Sequence, residues 1–264
     1  MPRAVWSGTI SFSMVNVPVG LYTATSEKTV RFNQVSSLTG ARVRQKRVDG
    51  NTGAEVPYES IVKGYEISPD HYVVVTQEEL DAIAPEKTRA ISIEQFVPLA
   101  EIDPIQFSTN YWVGPADDVS KNAYALLSRA LEAQKVVGIG RFVLRSKESL
   151  VALRAIGGHL AVTLLRWADE INSPERVLGD VQGTVAEREL QMAETLVSSL
   201  TTAWKPEKFK DEYREKVIAL IERKAKGLEI PAAEEAEAPA SPPDLMAALE
   251  ASLAAVQSPA KAAV

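Results

Sequence analysis

From Trp6 to Met14 the even positions carry Trp6, Ile10, Phe12 and Met14, interrupted only by Gly8, while Ser7, Thr9, Ser11 and Ser13 fill the odd ones. A two-residue period of this kind marks a strand with one face on a core. At Val15 the phase reverses to Val15, Val17, Val19 and Leu21, which places a turn or bulge at residues 14–16. Gly8, Pro18 and Gly20 suit an edge or the bends of a closing barrel. Residues 30–35 and 41–48 read as the next strand pair, joined by the turn formers Ser36, Ser37, Thr39 and Gly40, with a second turn at 49–53. A short strand follows at 72–75, and Thr76 with Glu79 forms a capping box that opens a short helix through Ile83. Residues 90–97 alternate again. Pro98, Pro104 and Pro115 punctuate a loop-rich region containing Tyr111 and Trp112.

Ser120 can cap a helix running to Gln134, with Ala123, Leu126, Leu127, Ala130 and Leu131 on one stripe. Three strands follow at 136–144, 150–156 and 160–167, the last two joined by Gly157 and Gly158 as a tight hairpin. After Asp169 the period becomes helical. A capping box from Thr184 to Glu187 opens a helix to residue 203, and a second helix spans 207–226 and stops at Gly227. Residues 229–243 read as a disordered acidic Pro/Ala/Glu linker, and Asp244 caps a short amphipathic helix bearing Leu245, Met246, Leu249 and Leu253. The organisation is a β-rich core over 1–180, a helical subdomain over 181–228, the linker, and a partner-binding tail over 244–264. This is a mixed α+β, β-dominated fold.

Charge changes what such a fold would be for. Residues 28–48 hold six basic side chains and no carboxylate, and strand alternation would send Arg42, Arg44 and Lys46 to one face. Like charges so placed repel, so an extended anion is expected against them, a nucleic-acid backbone first of all; a solvated edge strand is the alternative. Arg141, Arg145 and Lys147 share a parity and suggest a second cationic face. The net charge of -6 does not argue against this, because residues 229–264 hold six acids and one base and leave a near-neutral body. Phe32 is the only aromatic inside the basic stretch, so the cations suit phosphates better than bases and imply little sequence preference.

Other chemistries find little support. The chain has no cysteine, hence no disulfide framework or thiolate metal site, and no metal or other cofactor is expected. Its two histidines, His71 and His159, stand in no metal-ligand spacing. Gly138, Gly140 and Arg141 make only a fragment of a dinucleotide fingerprint, placed mid-strand. No apolar run of 18 residues occurs, so neither a membrane span nor secretion is expected.

Several short stretches are similar to a known family. Trp6 to Phe12, Val15 to Val19, Tyr22 and Arg31–Phe32 closely resemble the opening of the bacterial Ku family of DNA-end-binding proteins. Val56–Tyr58, Lys63–Glu66, Phe96–Pro98, Ile102–Pro104, Arg145–Glu148 and Leu164–Trp167 continue the likeness in order, over about residues 2–226. The resemblance implies a Ku-type β-barrel core with a strand-built bridge, and a homodimer closing into a ring threaded by duplex DNA from a broken end. It implies work in non-homologous end joining, recruitment of a multidomain ATP-dependent DNA ligase through the C-terminus, and a cytoplasmic, nucleoid-associated place.

By matching position, the resemblance gives DNA-facing roles to Arg31, Arg42, Arg44, Lys46, Lys63, Arg141, Arg145 and Lys147, and ligase binding to Leu245, Met246, Leu249 and Leu253. Some relatives have a cysteine pair where this chain has Asp49 and Thr52, so any case for zinc falls away. Two other classes stay open: an enzyme processing DNA ends through a lysine amine, and an interaction scaffold whose basic faces are merely solvated.

Overall fold

A computed structural model of the chain describes residues 3–84, 88–181, 183–228 and 245–257. Its larger unit, residues 1–28 and 33–173, is built on a closed barrel of seven strands. These are β1 (Trp6–Phe12), β2 (Val15–Thr23), β5 (Ala90–Pro98), β6 (Phe107–Pro115), β7 (Val136–Leu144), β8 (Lys147–Ile156) and β9 (His159–Leu165). A separate hairpin of β3 (Lys63–Ser68) and β4 (His71–Val75) precedes helix α1 (Gln77–Ala82). The barrel order is β1-β2-β6-β9-β8-β7-β5, and the parallel pair of β1 with β5 closes it, Ile10 lying against Ile91. Closure removes the free edges that strands otherwise expose.

The phase reversal near Val15 is a two-residue hairpin: Phe12 pairs with Val15, and Ser13 takes a φ of +51°. Alternation then fills the barrel, since Ile10, Val17, Val19, Leu21, Ile91, Val151, Leu153, Leu160 and Val162 are fully buried. Helix α2 (Lys121–Gln134) adds Tyr124, Leu127 and Leu131 to the same cluster. The Tyr124 hydroxyl donates to the Val113 carbonyl at 2.9 Å and accepts from the Leu160 N–H at 2.8 Å. Val113 and Leu160 are paired across β6 and β9, so one phenol completes the end of that ladder. Tyr124→Phe leaves both backbone groups buried without this partner, and should cost about 1–3 kcal/mol. For a domain of this size that is a fall in Tm of roughly 2–12 °C, read by calorimetry.

Three expectations are corrected. The loop-rich region contains a full strand, β6, paired with both β2 and β9; its prolines sit outside it or at its last position, where no ladder donor is lost. The short strand at 72–75 is the second half of a hairpin that already begins at Lys63. The pair at 30–35 and 41–48 is not a strand pair. There the chain makes only two isolated bridges, Val35 with Arg42 and Val48 with Glu55, around loops closed by a few backbone hydrogen bonds such as Val43 N–H to Gln34 at 2.9 Å and Val56 N–H to Arg47 at 2.9 Å. These scattered contacts do not add up to a regular ladder.

The second unit, Thr29–Phe32 with 174–264, is helical. It comprises α3 (Pro174–Leu178), α4 (Glu187–Leu200), α5 (Glu212–Ala225) and α6 (Leu245–Gln257). Helix α4 begins later than the Thr184–Glu187 box would place it: the Glu189 carboxylate accepts from the Ala186 N–H at 3.3 Å instead. Asp211 caps α5, accepting from the Arg214 N–H at 2.9 Å, and Gly227 follows the helix with a φ of +68°. Helix α6 packs on α4. The 229–243 linker and the Asp244 cap lie outside the described residues, as do the side chains of Leu245 and Leu253.

Candidate nucleic-acid interface

The arm from Asn33 to Val56 is exposed along nearly its whole length, and it carries Arg42, Arg44 and Lys46. Because the segment is not a strand, the expected single cationic face is not built by a ladder. Instead the two small loops hold the cations out. The first turns on Gly40, with φ +67° and Gly40 N–H bonded to Ser36 at 2.8 Å. The second turns on Asp49, whose carboxylate accepts from the Thr52 N–H at 2.8 Å, the Thr52 hydroxyl at 3.0 Å and the Asn51 N–H at 3.0 Å.

Those bonds, the Thr52 N–H first, hold the Asp49 carboxyl below its ordinary value. A depressed carboxylate stabilises the fold above its unfolded value near 3.9 and loses that contribution as pH falls through the lower folded value. The Thr52 amide should therefore stay protected from exchange at pH 6 and lose protection below about pH 4. NMR exchange rates check this directly.

Two neighbours shape the arm's charge. The Lys46 ammonium donates to the Glu55 carboxylate at 2.6 Å, so a carboxylate from the returning limb partly neutralises a cation that the 28–48 stretch leaves unopposed. Arg47 stacks over the Tyr58 ring, 5.0 Å from its centroid. Sequence reading assigned a role to neither Arg47 nor Glu55; the Val48–Glu55 bridge that brings Glu55 back is a tertiary contact nine residues downstream of Lys46.

The second cationic cluster is rearranged. Arg145 and Ser146 form the β7–β8 turn, with φ of +52° and +69°, so Arg145 is on no strand face. Lys147 pairs with Leu144 and Arg141 with Leu150, which puts Arg141 and Lys147 on opposite sides of the sheet. On its side Arg141 is already engaged: Glu94 approaches at 3.1 Å and Glu148 at 3.9 Å, and Trp167 lies 5.9 Å from the guanidinium. Glu94 reaches it from a bulge in β5, where Ile93 opposes Gly140 and Gln95 opposes Ile139. Lys63 opens β3 and donates to Gln77 at 3.1 Å. Arg31 belongs to the helical unit. The arm cations Arg42, Arg44 and Lys46 are thus the group brought together on one exposed element.

Among the described residues no group of three His, Asp or Glu could hold a metal ion, and no helix is long and apolar enough to cross a membrane. Residues 11–192 match the family model "Ku70/Ku80 beta-barrel domain", which covers the whole barrel beyond the start of β1 and reaches into α4. The chain belongs to the Ku family. The Ku-type β-barrel that the sequence resemblance implied is the fold observed. Among curated Ku relatives, a "Non-homologous end joining protein Ku" of Anaeromyxobacter sp. (strain K) is 48% identical over 97% of this chain and 87% of its own length. Proteins of the same name in Archaeoglobus fulgidus and, numbered Ku 1, in Saccharopolyspora erythraea are 40% and 42% identical, over 97% and 95% of this chain and 100% and 77% of theirs.

Proposed function

We propose that this Ku-family chain binds ends of double-stranded DNA without sequence preference, as a homodimeric ring, in non-homologous end joining. Through the apolar stripe Leu245, Met246, Leu249 and Leu253 it recruits an ATP-dependent DNA ligase. The relatives named for end joining support the process. The observation that carries the DNA reading is the exposed arm with Arg42, Arg44 and Lys46 on loops that are too sparsely bonded to need those cations for folding. Phosphates satisfy such charges at any sequence, and a ring converts that indifference into a requirement for an end. Lys63, Arg145 and Lys147 are further candidates for backbone contacts, with Arg31 from the helical unit, while Arg141 contributes least because two carboxylates already hold it.

Assembly of two chains is favoured by the β3–β4 hairpin. Tyr65, Ile67, Tyr72, Val73 and Val74 are all exposed on it, and a two-stranded sheet with apolar residues outward needs another surface to cover it. The reading requires no catalytic group and no cofactor. Competition between a linear duplex and the same duplex closed into a circle tests threading: the linear form should win by a wide margin, and equal affinity would sink the ring. Deleting residues 229–264 should abolish ligase stimulation and keep end binding; stimulation that survives would remove the tail from the scheme.

A further inference from the structure

We infer that α6 is a reversible latch on α4, so that the face with which the tail would meet a partner is the face it lays on its own chain. This rests on reading the tail as a partner-binding peptide. Met246, Ala248 and Leu249 are half-buried, whereas Glu250, Ala251, Ser252 and Ala254 are exposed, and the helix packs on α4. At its rim the Glu250 carboxylate meets the Arg188 guanidinium, from the first turn of α4, at 3.6 Å. A helix of 13 residues is marginal by itself in water, so α6 owes its helical state to what it packs on.

The docking is also easily opened. Its ion pair is largely exposed on both sides, a geometry worth only a few-fold in an equilibrium constant. The packing of Met246 and Leu249 is helped by the covalent connection, which keeps α6 near α4 at an effective concentration on the order of millimolar. A partner that offers a better groove displaces α4, and the chemistry of that groove can be read from the one it replaces: an apolar floor for Met246 and Leu249 with an arginine or lysine at the rim for Glu250.

Hydrogen exchange on the full chain tests the latch without any partner. The α6 amides should be protected in the parent protein. Arg188→Glu should speed their exchange by about threefold or more, and the swap Arg188→Glu with Glu250→Arg should restore it, with barrel amides unchanged throughout as the control for folding. Met246→Asp should release α6 more completely. Exchange of α6 in the parent at the rate of an unstructured peptide, or rates indifferent to both Arg188→Glu and Met246→Asp, would overturn the latch. The second measurement is capture of a purified ATP-dependent DNA ligase. Because Arg188→Glu leaves the tail sequence intact, capture should rise by the same factor as the exchange. Faster exchange with unaltered capture would refute the recruiting role of the tail and leave the latch standing.

Discussion

Gly140→Val should prevent the barrel from closing. A Cβ at this position would sit 2.1 Å from the Ser92 carbonyl oxygen, 2.8 Å from its carbon and 2.9 Å from the Ile93 Cα, all backbone atoms that no rotamer change can clear. The closeness has a purpose, because β5 bulges at Glu94 just there and only a residue without a side chain lets β7 stay in register against it. Gly8 is the matching position on β1, where a Cβ would meet the Arg89 carbonyl at 2.1 Å. Relief requires moving a strand, and overpacking of this sort costs roughly 3 kcal/mol or more. The expected result is loss of soluble protein, or a Tm lowered by about 6–12 °C. Gly140→Ala carries the same Cβ and should show most of the same loss, pushing the bulge outward and breaking the Glu94–Arg141 pair. An alanine variant with parental Tm would show that the bulge is not held by this contact.

How much of this was legible beforehand depends on where the stabilising partner lies. β1, β2, α2 and β7 to β9 carry their own signals: alternation filled with β-branched and aromatic residues, or a stripe such as Leu127 and Leu131 on a helix. Their partners are also near in the chain, as with the Gly157–Gly158 hairpin between Ile156 and His159. β6 had no such signal. Its place is fixed by β2, some ninety residues upstream, and by β9, where Asn110 accepts from the Thr163 hydroxyl at 2.7 Å; a proline-rich context hides that from any local pattern. Residues 41–48 fail in the opposite way. They alternate as a strand does, but the backbone there turns back through two small loops and makes only the isolated bridges Val35–Arg42 and Val48–Glu55, which alternation alone does not reveal.

The candidate site divides along the same line. Placing Arg42, Arg44 and Lys46 on an exposed element needed only the density of charge. Finding that Glu55 tempers Lys46, or that Glu94 and Glu148 hold Arg141, required knowing a bridge, a bulge and a register. Charge patterns in sequence report which cations exist, while their availability is decided by carboxylates brought back through tertiary pairing.

Replacing Arg42, Arg44 and Lys46 together by glutamine should weaken duplex binding on the order of a hundredfold for each subunit arm engaged at about 150 mM salt, alike for every sequence. The estimate follows from counterion release. Each phosphate neutralised contributes about 0.9 to the slope of log affinity against log salt, so the three contacts of one subunit should take about 2.7 from it and both arms of a ring about twice as much. Lys46 enters at a discount, since releasing it for a phosphate means giving up the 2.6 Å contact with Glu55. The fall in slope should accordingly lie between about 2 and 3 per subunit engaged. Glu55→Gln sharpens the point: it frees Lys46 without adding a charge, and should strengthen binding by a few-fold at low salt while steepening the slope. Circular dichroism should find both variants folded, because the arm is exposed and contributes nothing to the barrel core. A triple variant that binds linear duplex with the parental slope would clear the arm of any phosphate contact.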